Sequence, residues 1–154
     1  MIIKNGLVID PASGLSKKMD LLIEDGIIKE MASLITKEGE EVLDAAGLVV
    51  APGLIDTHVH FRDPGFTYKE TIHTGALASA KGGFTSVICM ANTSPTVDSV
   101  PVLKDNLSRA SKEKIRIFQA ASISCNLKGQ EETEAAWKIR IFSLEARERL
   151  SLRT

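Results

Sequence analysis

An almost continuously apolar run at residues 48–55 most constrains how this chain of 154 residues can fold. Strands buried on both faces have this composition, as in a parallel sheet covered by helices. The run is followed by a predicted helix at 68–81, strand at 84–90, helix at 100–112, strand at 115–121 and helix from 131 onward. Such alternation predicts a parallel α/β sheet or barrel.

The ends of the predicted helices carry recognisable patterns. Thr67 with Glu70 forms a capping-box pattern at the start of the first helix, and Gly82-Gly83 is expected to end it. The inner face of the second helix is predicted to consist of Val102, Leu103, Leu107 and Ala110.

The first 48 residues have a different pattern of short strands and turns. Asn5-Gly6 is expected to separate strands at 1–4 and 7–9, and Asp25-Gly26 to join strands at 20–24 and 27–31. A further short strand is predicted at 41–44. These patterns predict part of a small antiparallel β unit.

Composition excludes several classes of protein. A hydrophobic content of 44% and a charged content of 25% are ordinary for a globular domain, and a net charge of −1 gives no basis for binding nucleic acid or an anionic membrane.

Cys89 and Cys125 form neither a disulfide framework nor a zinc ribbon, and Cys89 is predicted to be a small buried hydrophobe. The N-terminal MIIKNGLVID is neither a signal peptide nor a membrane span, so we expect a cytoplasmic protein.

His58 and His60 lie just after the apolar run, separated from it by Asp56 and Thr57. Alternate residues of a strand face the same side, so the two imidazoles are expected side by side, about 6.5 Å apart along the strand. Imidazole nitrogens at this spacing can bind one zinc ion or a similar metal. The carboxyl ends of strands are also where α/β active sites assemble.

Three more polar residues lie at these strand ends, and each has a structural alternative. Asp56 is a candidate hydrogen-bond partner of an imidazole, or a carboxylate satisfied by the backbone. Arg62 has the geometry to hold a carboxylate, or pairs with a neighbouring acid. Asn92 can bind a carboxylate, or form a turn ahead of Pro95. His73 falls inside the first helix and is not expected to bind a metal.

Two segments resemble dihydroorotases of the amidohydrolase superfamily: PGLIDTHVHFRDPG and YKETIHTGALASAKGGFTSVICMANTSP. The resemblance covers about residues 1–134 and includes His-X-His-X-Arg-Asp-Pro-Gly, a Lys-Glu pair, Gly-Gly-Phe-Thr and an Asn-Thr-X-Pro box. Hydantoinases and allantoinases share the His-X-His and parts of the rest, whereas Arg62 together with Asn92 favours dihydroorotase. Ala91 stands where the family usually has proline, which loosens this loop without removing a chemical group.

The resemblance implies roles for these residues. His58 and His60 would be ligands of Zn²⁺, of which intact members hold one or two, and Arg62 and Asn92 would hold the carboxylate of a small-molecule substrate. The implied reaction is the reversible cyclisation of N-carbamoyl-L-aspartate to dihydroorotate in pyrimidine biosynthesis. The implied fold is a (β/α)₈ TIM barrel beside a β-sandwich built from both chain ends.

The expected fold class is therefore α/β: about three units of a (β/α)₈ barrel, preceded by a β-sandwich portion. Residues 1–48 are assigned to the sandwich, 49–136 to the barrel and 137–154 to a divergent basic tail. A whole barrel needs about 250 residues. The family's bridging carboxylate, two further histidines and proton-shuttling aspartate come from later strands and have no counterpart here, so the zinc ligand set is expected to be incomplete.

These absences lead us to expect little or no hydrolase activity from the isolated chain, with no catalytic residue of its own. Open strand edges predict poor solubility, homo-oligomers, pairing with a partner chain, or a rearranged fold. A non-catalytic dihydroorotase-like binding or assembly protein, or a piece of an allantoinase or hydantoinase, is the alternative. Retention of both histidines favours a catalytic ancestry.

From about Trp137 the sequence WKIRIFSLEARERLSLRT no longer resembles the family. A frameshifted or prematurely terminated gene is the preferred hypothesis, and a short helical tail is the alternative. We expect sequencing of the gene past codon 137 to find a second reading frame that restores family-like sequence. A gene without such a frame would contradict the frameshift.

Overall fold

The computed structural model of the protein describes residues 1–133. The elements in chain order are β1 (Ile2–Asp10), β2 (Leu15–Glu24), β3 (Ile27–Ala32), β4 (Val42–Asp44), β5 (Val49–Val50), β6 (Leu54–Val59), α1 (Ile72–Lys81), β7 (Phe84–Cys89), α2 (Val100–Ala110), β8 (Arg116–Gln119) and a 3₁₀ turn at Cys125–Leu127.

The chain divides into two compact units, the first covering Met1–Pro52 and the second beginning at Gly53. The first contains a mixed sheet in the order β3-β2-β1-β4, with β5 also paired to β1. The second contains a parallel sheet in the order β6-β7-β8. The protein is therefore a mixed α/β structure. Within residues 1–133, no helix is long and apolar enough to cross a membrane.

The predicted Asp25-Gly26 hairpin is confirmed in the first unit. β2 and β3 pair antiparallel around it, and both turn residues have positive φ, 52° and 73°. Positive φ at both central positions defines the tight turn whose twist matches that of the flanking strands. Ile2, Leu22 and Ile35 form the buried core against this sheet.

The predicted separation at Asn5-Gly6 is wrong, because β1 runs through both residues. Asn5 has a φ of 63°, and the register against β2 shifts at this point, as in a β-bulge. The backbone N–H of Asn5 donates to Asp20 Oδ1 at 2.9 Å, and its Nδ2 donates to Asp44 Oδ1 at 2.9 Å. Neighbouring strands thus hold Asn5 in a conformation that a hairpin would otherwise use.

The second unit has the predicted strand–helix alternation. β6 is followed by α1 and β7, then by α2 and β8, and all adjacent strands are parallel. The buried core consists of Phe61, Ala76, Val87, Cys89 and Ile115. Cys89 is 2% exposed, which confirms the prediction of a buried small hydrophobe at this position, and this burial raises the pKa of its thiol to about 12.

The apolar run at 48–55 is not one buried strand. It is divided between β5 in the first sheet and β6 in the second, with Pro52 and Gly53 between them. Proline lacks the N–H that a central ladder position needs. β6 is an edge strand of the described sheet, and Leu54 and Ile55 are 53% and 67% exposed.

α1 begins four residues later than predicted. Its N-cap is Thr71, whose hydroxyl accepts from the Thr74 N–H at 3.0 Å, while the Thr74 hydroxyl accepts from the Thr71 N–H at 2.9 Å. This reciprocal pair replaces the capping box predicted at Thr67 and Glu70. The predicted end of the helix at Gly82-Gly83 is confirmed, since Gly82 is the C-cap.

α2 and the segment after β8 also differ from the prediction. α2 ends at Ala110, and its buried residues are Asn106 and Ala110, whereas the expected core residue Leu107 is exposed. Relative to the predicted inner face, the helix is therefore rotated so that the polar side chain of Asn106 is buried and Leu107 is exposed. A helix from residue 131 is not seen at residues 131–133, where Glu132 forms a β-bridge with Ser124. The rest of that predicted helix lies outside the described residues.

The loops that follow β6 and β7 contact each other closely. The Ser94 N–H donates to the Pro64 carbonyl at 3.1 Å, and the peptide bonds preceding Pro64 and Pro95 are both cis. Gly65 has a φ of 91°, and a Cβ atom built on it would lie 2.0 Å from the Ser94 carbonyl oxygen. Only glycine fits between the two loops without moving the backbone.

Gly65→Ala is expected to lower the free energy of unfolding by about 2 kcal/mol more than Gly83→Ala does. Gly83 is a matched control, because its φ is 83° and nothing lies within 4 Å of the added Cβ. Both substitutions carry the cost of positive φ, about 1–2 kcal/mol, but only Gly65→Ala adds the clash. Urea unfolding followed by circular dichroism measures both, and equal losses would contradict the steric argument.

Candidate metal centre

The candidate residues lie at the carboxyl ends of β6 and β7. His58 is in β6, His60 follows its last residue, and Asn92 follows β7. The strands pair in parallel, with Val59 opposite Cys89, and the Met90 N–H donates to the Val59 carbonyl at 2.9 Å. The parallel ladder therefore brings the residues that follow both strands to one edge of the sheet.

The structure brings the two imidazoles together. His58 Nε2 and His60 Nε2 are 3.2 Å apart, and the ring centroids are 5.0 Å apart with an interplanar angle of 69°. His58 is exposed and His60 is partly buried. The Nε2 atom of each imidazole ring therefore faces the Nε2 atom of the other ring.

Asn92 determines which nitrogen of His60 carries the proton. Asn92 Oδ1 lies 2.8 Å from His60 Nδ1. An amide oxygen only accepts hydrogen bonds, so His60 Nδ1 must be the donor. In the neutral ring this leaves Nε2 with a free lone pair, directed at the side where His58 Nε2 lies. Asn92 thereby selects the tautomer in which His60 can bind a cation.

The two Nε2 atoms fit neighbouring positions around one metal ion. Tetrahedral zinc with Zn–N bonds of about 2.0–2.1 Å separates two nitrogen ligands by about 3.4 Å, and the observed separation is 3.2 Å. Among residues 1–133, no group of three or more His, Cys, Asp or Glu side chains is arranged to hold a metal. The described residues therefore fit a metal as a pair of ligands.

Asp56 contacts the backbone of His58. Its Oδ1 accepts from the His58 N–H at 3.0 Å. This is the backbone-satisfied arrangement that the sequence left open, and it fixes the strand end from which the His58 ring projects. Among the hydrogen bonds of residues 1–133, none joins the Asp56 carboxylate to either imidazole ring.

Arg62 is partly buried, and its carbonyl accepts from the Phe66 N–H at 2.8 Å. Within the described part of the chain its guanidinium has no hydrogen-bond or ion-pair partner. Arg62 is not among the residues that line the cavity beside the histidines. His73 lies in α1, and its Nδ1 is 3.0 Å from Glu113 Oε2.

A cavity of about 420 Å³ opens beside His58, His60 and Asn92. Its opposite wall is the segment that follows β8, residues 120–124, together with Leu127. Ile123 and Leu127 are exposed. This wall is absent from the sequence-based predictions, although its position after the third parallel strand is a signal that could have indicated it.

Hydrogen bonds at Ser122 and Ile123 tie the wall to two other segments, at Val97 and at Thr133. The Ser122 N–H donates to the Val97 carbonyl at 2.7 Å. The Thr133 N–H donates to the Ile123 carbonyl at 3.0 Å, and the Thr133 hydroxyl donates to the Ser122 carbonyl at 2.7 Å. The shape of the cavity is therefore set by backbone contacts.

Comparison with known proteins fits this geometry. A family model described as dihydro-orotase-like matches residues 47–146, more than half of the chain. The chain belongs to the dihydro-orotase-like family. It is 57% identical to a dihydroorotase of Streptococcus pneumoniae over 134 residues, covering 87% of this chain and 32% of that relative. A dihydroorotase of Streptococcus thermophilus is 51% identical over the same shares of the two chains. The chain thus spans about a third of the length of these relatives.

Solved structures of two hydantoinases share the fold of this dihydro-orotase-like chain. A D-hydantoinase has a TM-score of 0.73 and 31% identity, covering 94% of this chain and 30% of that one. The L-hydantoinase of Arthrobacter aurescens has a TM-score of 0.68 over 80% of this chain and 28% of that one, and its 23% identity supports the fold alone.

Asn92→Leu is expected to release His60 from the Nδ1–H tautomer, because leucine offers no acceptor to Nδ1. Asn92→Asp keeps an acceptor oxygen and is expected to preserve the tautomer. Long-range ¹⁵N NMR spectra of the imidazole nitrogens, recorded at the same alkaline pH for the wild type and both variants, distinguish the two. An unchanged His60 spectrum in Asn92→Leu would show that the amide does not select the tautomer.

Proposed function

We propose that this chain carries part of the metal and substrate site of a dihydroorotase-type cyclic amidohydrolase. The proposed reaction is the reversible cyclisation of N-carbamoyl-L-aspartate to dihydroorotate, a step of pyrimidine biosynthesis. The observation that carries the proposal is the 3.2 Å separation of His58 Nε2 and His60 Nε2, with the tautomer of His60 set by Asn92. Membership of the family supports the choice of reaction.

Zn²⁺ is the proposed metal, and His58 and His60 are its proposed ligands. Imidazole suits zinc, and a catalytic zinc site uses three protein ligands and a water. When bound, such an ion lowers the pKa of a coordinated water and polarises the amide carbonyl. Residues 1–133 supply two ligands, and the others are proposed to come from outside these residues, with a partner chain or a second copy of this chain among the candidate sources.

Arg62 and Asn92 are proposed to bind the carboxylate of the substrate. Asn92 Oδ1 is engaged with His60, which leaves the Nδ2 hydrogens to donate to a ligand. A guanidinium is a two-pronged donor to a carboxylate, and that of Arg62 has no partner within the described residues. Holding the carboxylate at two points would fix the pose of the ring amide.

We propose no proton shuttle among the described residues. No Asp or Glu is among the residues of this range that line the cavity. We therefore assign residues 1–133 to binding and orientation, and no catalytic proton shuttle to them. Asp56 is proposed to support His58 through its backbone contact.

The proposed architecture is three strands and two helices of a (β/α)₈ barrel that begins at β6, preceded by a β-sandwich portion that includes β5. The parallel β6-β7-β8 order with intervening helices supports it. A cytoplasmic location is proposed because the proposed substrate is a small soluble molecule.

A hydantoinase-type reaction is the second candidate. The likeness to a D-hydantoinase and the exposed apolar side chains of Ile123 and Leu127 on the cavity wall favour it. An apolar wall suits a ring with an apolar substituent, whereas dihydroorotate carries a carboxylate. Parallel assays with N-carbamoyl-L-aspartate and a series of substituted hydantoins separate the two.

Zinc binding tests the proposal directly. His58→Ala and His60→Ala are each expected to weaken zinc binding by more than about 100-fold, because loss of partners outside the ligand shell already costs about 10–100-fold. His73→Ala is the matched control, since His73 pairs with Glu113 away from the cavity, and its affinity should equal that of the wild type. Competition with a chromogenic chelator measures all three.

Activity provides the second measurement. With two described ligands, the isolated chain is expected to cyclise N-carbamoyl-L-aspartate far more slowly than a full-length dihydroorotase, even with added zinc. Wild-type turnover near that of a full-length enzyme would contradict the incomplete ligand set. Zinc binding that survives both histidine substitutions would contradict the metal site itself.

A further inference from the structure

We propose that Arg109, on α2, is a positioning residue that holds His60 and Asn92 in contact. It does so through a chain of side-chain hydrogen bonds formed by Asp63, Arg109, Asn106 and Gln119, referred to as the polar chain. The proposal deepens the proposed metal site and rests on it for one of its two measurements. The other measurement, the state of the His60 ring, is independent of metal.

The first link joins Arg109 to the loop that follows β6. The guanidinium forms an ion pair and hydrogen bond with Asp63, whose side chain is 12% exposed. The second oxygen of Asp63 accepts from the Ile72 N–H at 3.3 Å, at the start of α1. Asp63 follows His60 by three residues, so Arg109 fixes the loop on which His60 lies.

The second link runs along α2. Arg109 donates to Asn106 Oδ1 at 2.8 Å and to Asp105 at 2.9 and 3.1 Å. Burial alone would lower the pKa of the guanidinium, but the two carboxylates raise it by more, so the charge is retained. Asn106 is 1% exposed, and its Nδ2 donates to Gln119 Oε1 at 3.4 Å.

The third link reaches the loop that carries Asn92. Gln119, at the end of β8, donates from Nε2 to the carbonyls of Cys89, Met90 and Ala120 at 3.2, 3.3 and 2.9 Å. Met90 precedes Asn92 by two residues, and Ala120 lines the cavity. The polar chain thus begins beside one member of the His60–Asn92 hydrogen bond and ends beside the other.

Loss of Arg109 would leave partly buried groups without partners. Asp63 would lose its countercharge, and the side-chain oxygen of Asn106 would lose a hydrogen-bond donor. Such groups must move or recruit water, because an unpaired buried polar group is costly. Movement of either group displaces one of the two loops. Lysine cannot replace the guanidinium fully, since it lacks the planar fork that serves three side chains at once.

The test compares Arg109→Gln, Asp63→Asn and the double variant with two controls in the full chain. Arg116→Gln removes an exposed arginine of β8. Ile115→Val loosens the core of the same unit without touching the polar chain. Long-range ¹⁵N NMR of His60 reports the tautomer, and chelator competition reports zinc affinity.

We expect Arg109→Gln and Asp63→Asn each to shift His60 away from the Nδ1–H tautomer and to weaken zinc binding about tenfold. The double variant should resemble the single variants, because the residues act as one unit. Ile115→Val should leave the His60 spectrum unchanged although it is less stable, which separates positioning from general destabilisation.

A wild-type His60 spectrum in Arg109→Gln or Asp63→Asn would overturn the proposal, as would an equal change in Ile115→Val. Should Arg109→Gln not fold, Arg109→Lys decides, with a smaller shift in the same direction expected and a wild-type spectrum overturning the inference. If the wild-type chain binds no zinc, the proposed function fails, while the positioning role is still judged by the His60 nitrogens.

Discussion

Parallel pairing of β6, β7 and β8 is the constraint on which the candidate site depends. Because the three strands run the same way, the residues after Val59, Cys89 and Gln119 emerge at one edge of the sheet. The segments that follow β6 and β7 carry His60 and Asn92, and the segment that follows β8 forms another wall of the cavity. A reversal of any one strand would send its polar residues to the other edge.

Local patterns predicted those parts of the fold that depend on neighbouring residues alone. The Asp25-Gly26 turn and the end of α1 at Gly82 follow from backbone preferences that tertiary contacts do not oppose. Asn5-Gly6 has the same composition as a turn, but side chains distant in sequence hold it inside a strand. The start of α1 was misplaced for a similar reason, since the loop before it is fixed by Asp63.

The candidate site was predictable to the extent that it follows from strand ends. His58, His60 and Asn92 could be chosen because each lies where a strand finishes, and the structure brings them together. The contact between Asn92 and His60 could not be foreseen, because it depends on the register between β6 and β7. The apolar pattern placed leucines on the inner face of α2, so no sequence signal connected Asn106 and Arg109, which are hydrogen-bonded to each other, with the site.

The hydrogen bonds of the cavity wall have a consequence for ligand affinity. Ser122 is tied to Val97 and to Thr133, so the wall has few alternative conformations before a ligand arrives. Ordering a loop during association costs about 0.5–1.5 kcal/mol for each immobilised side chain, and a wall that is already ordered avoids much of this entropy loss. Ligands of the cavity are therefore selected by how well they match a preformed shape, with little adaptation from the protein.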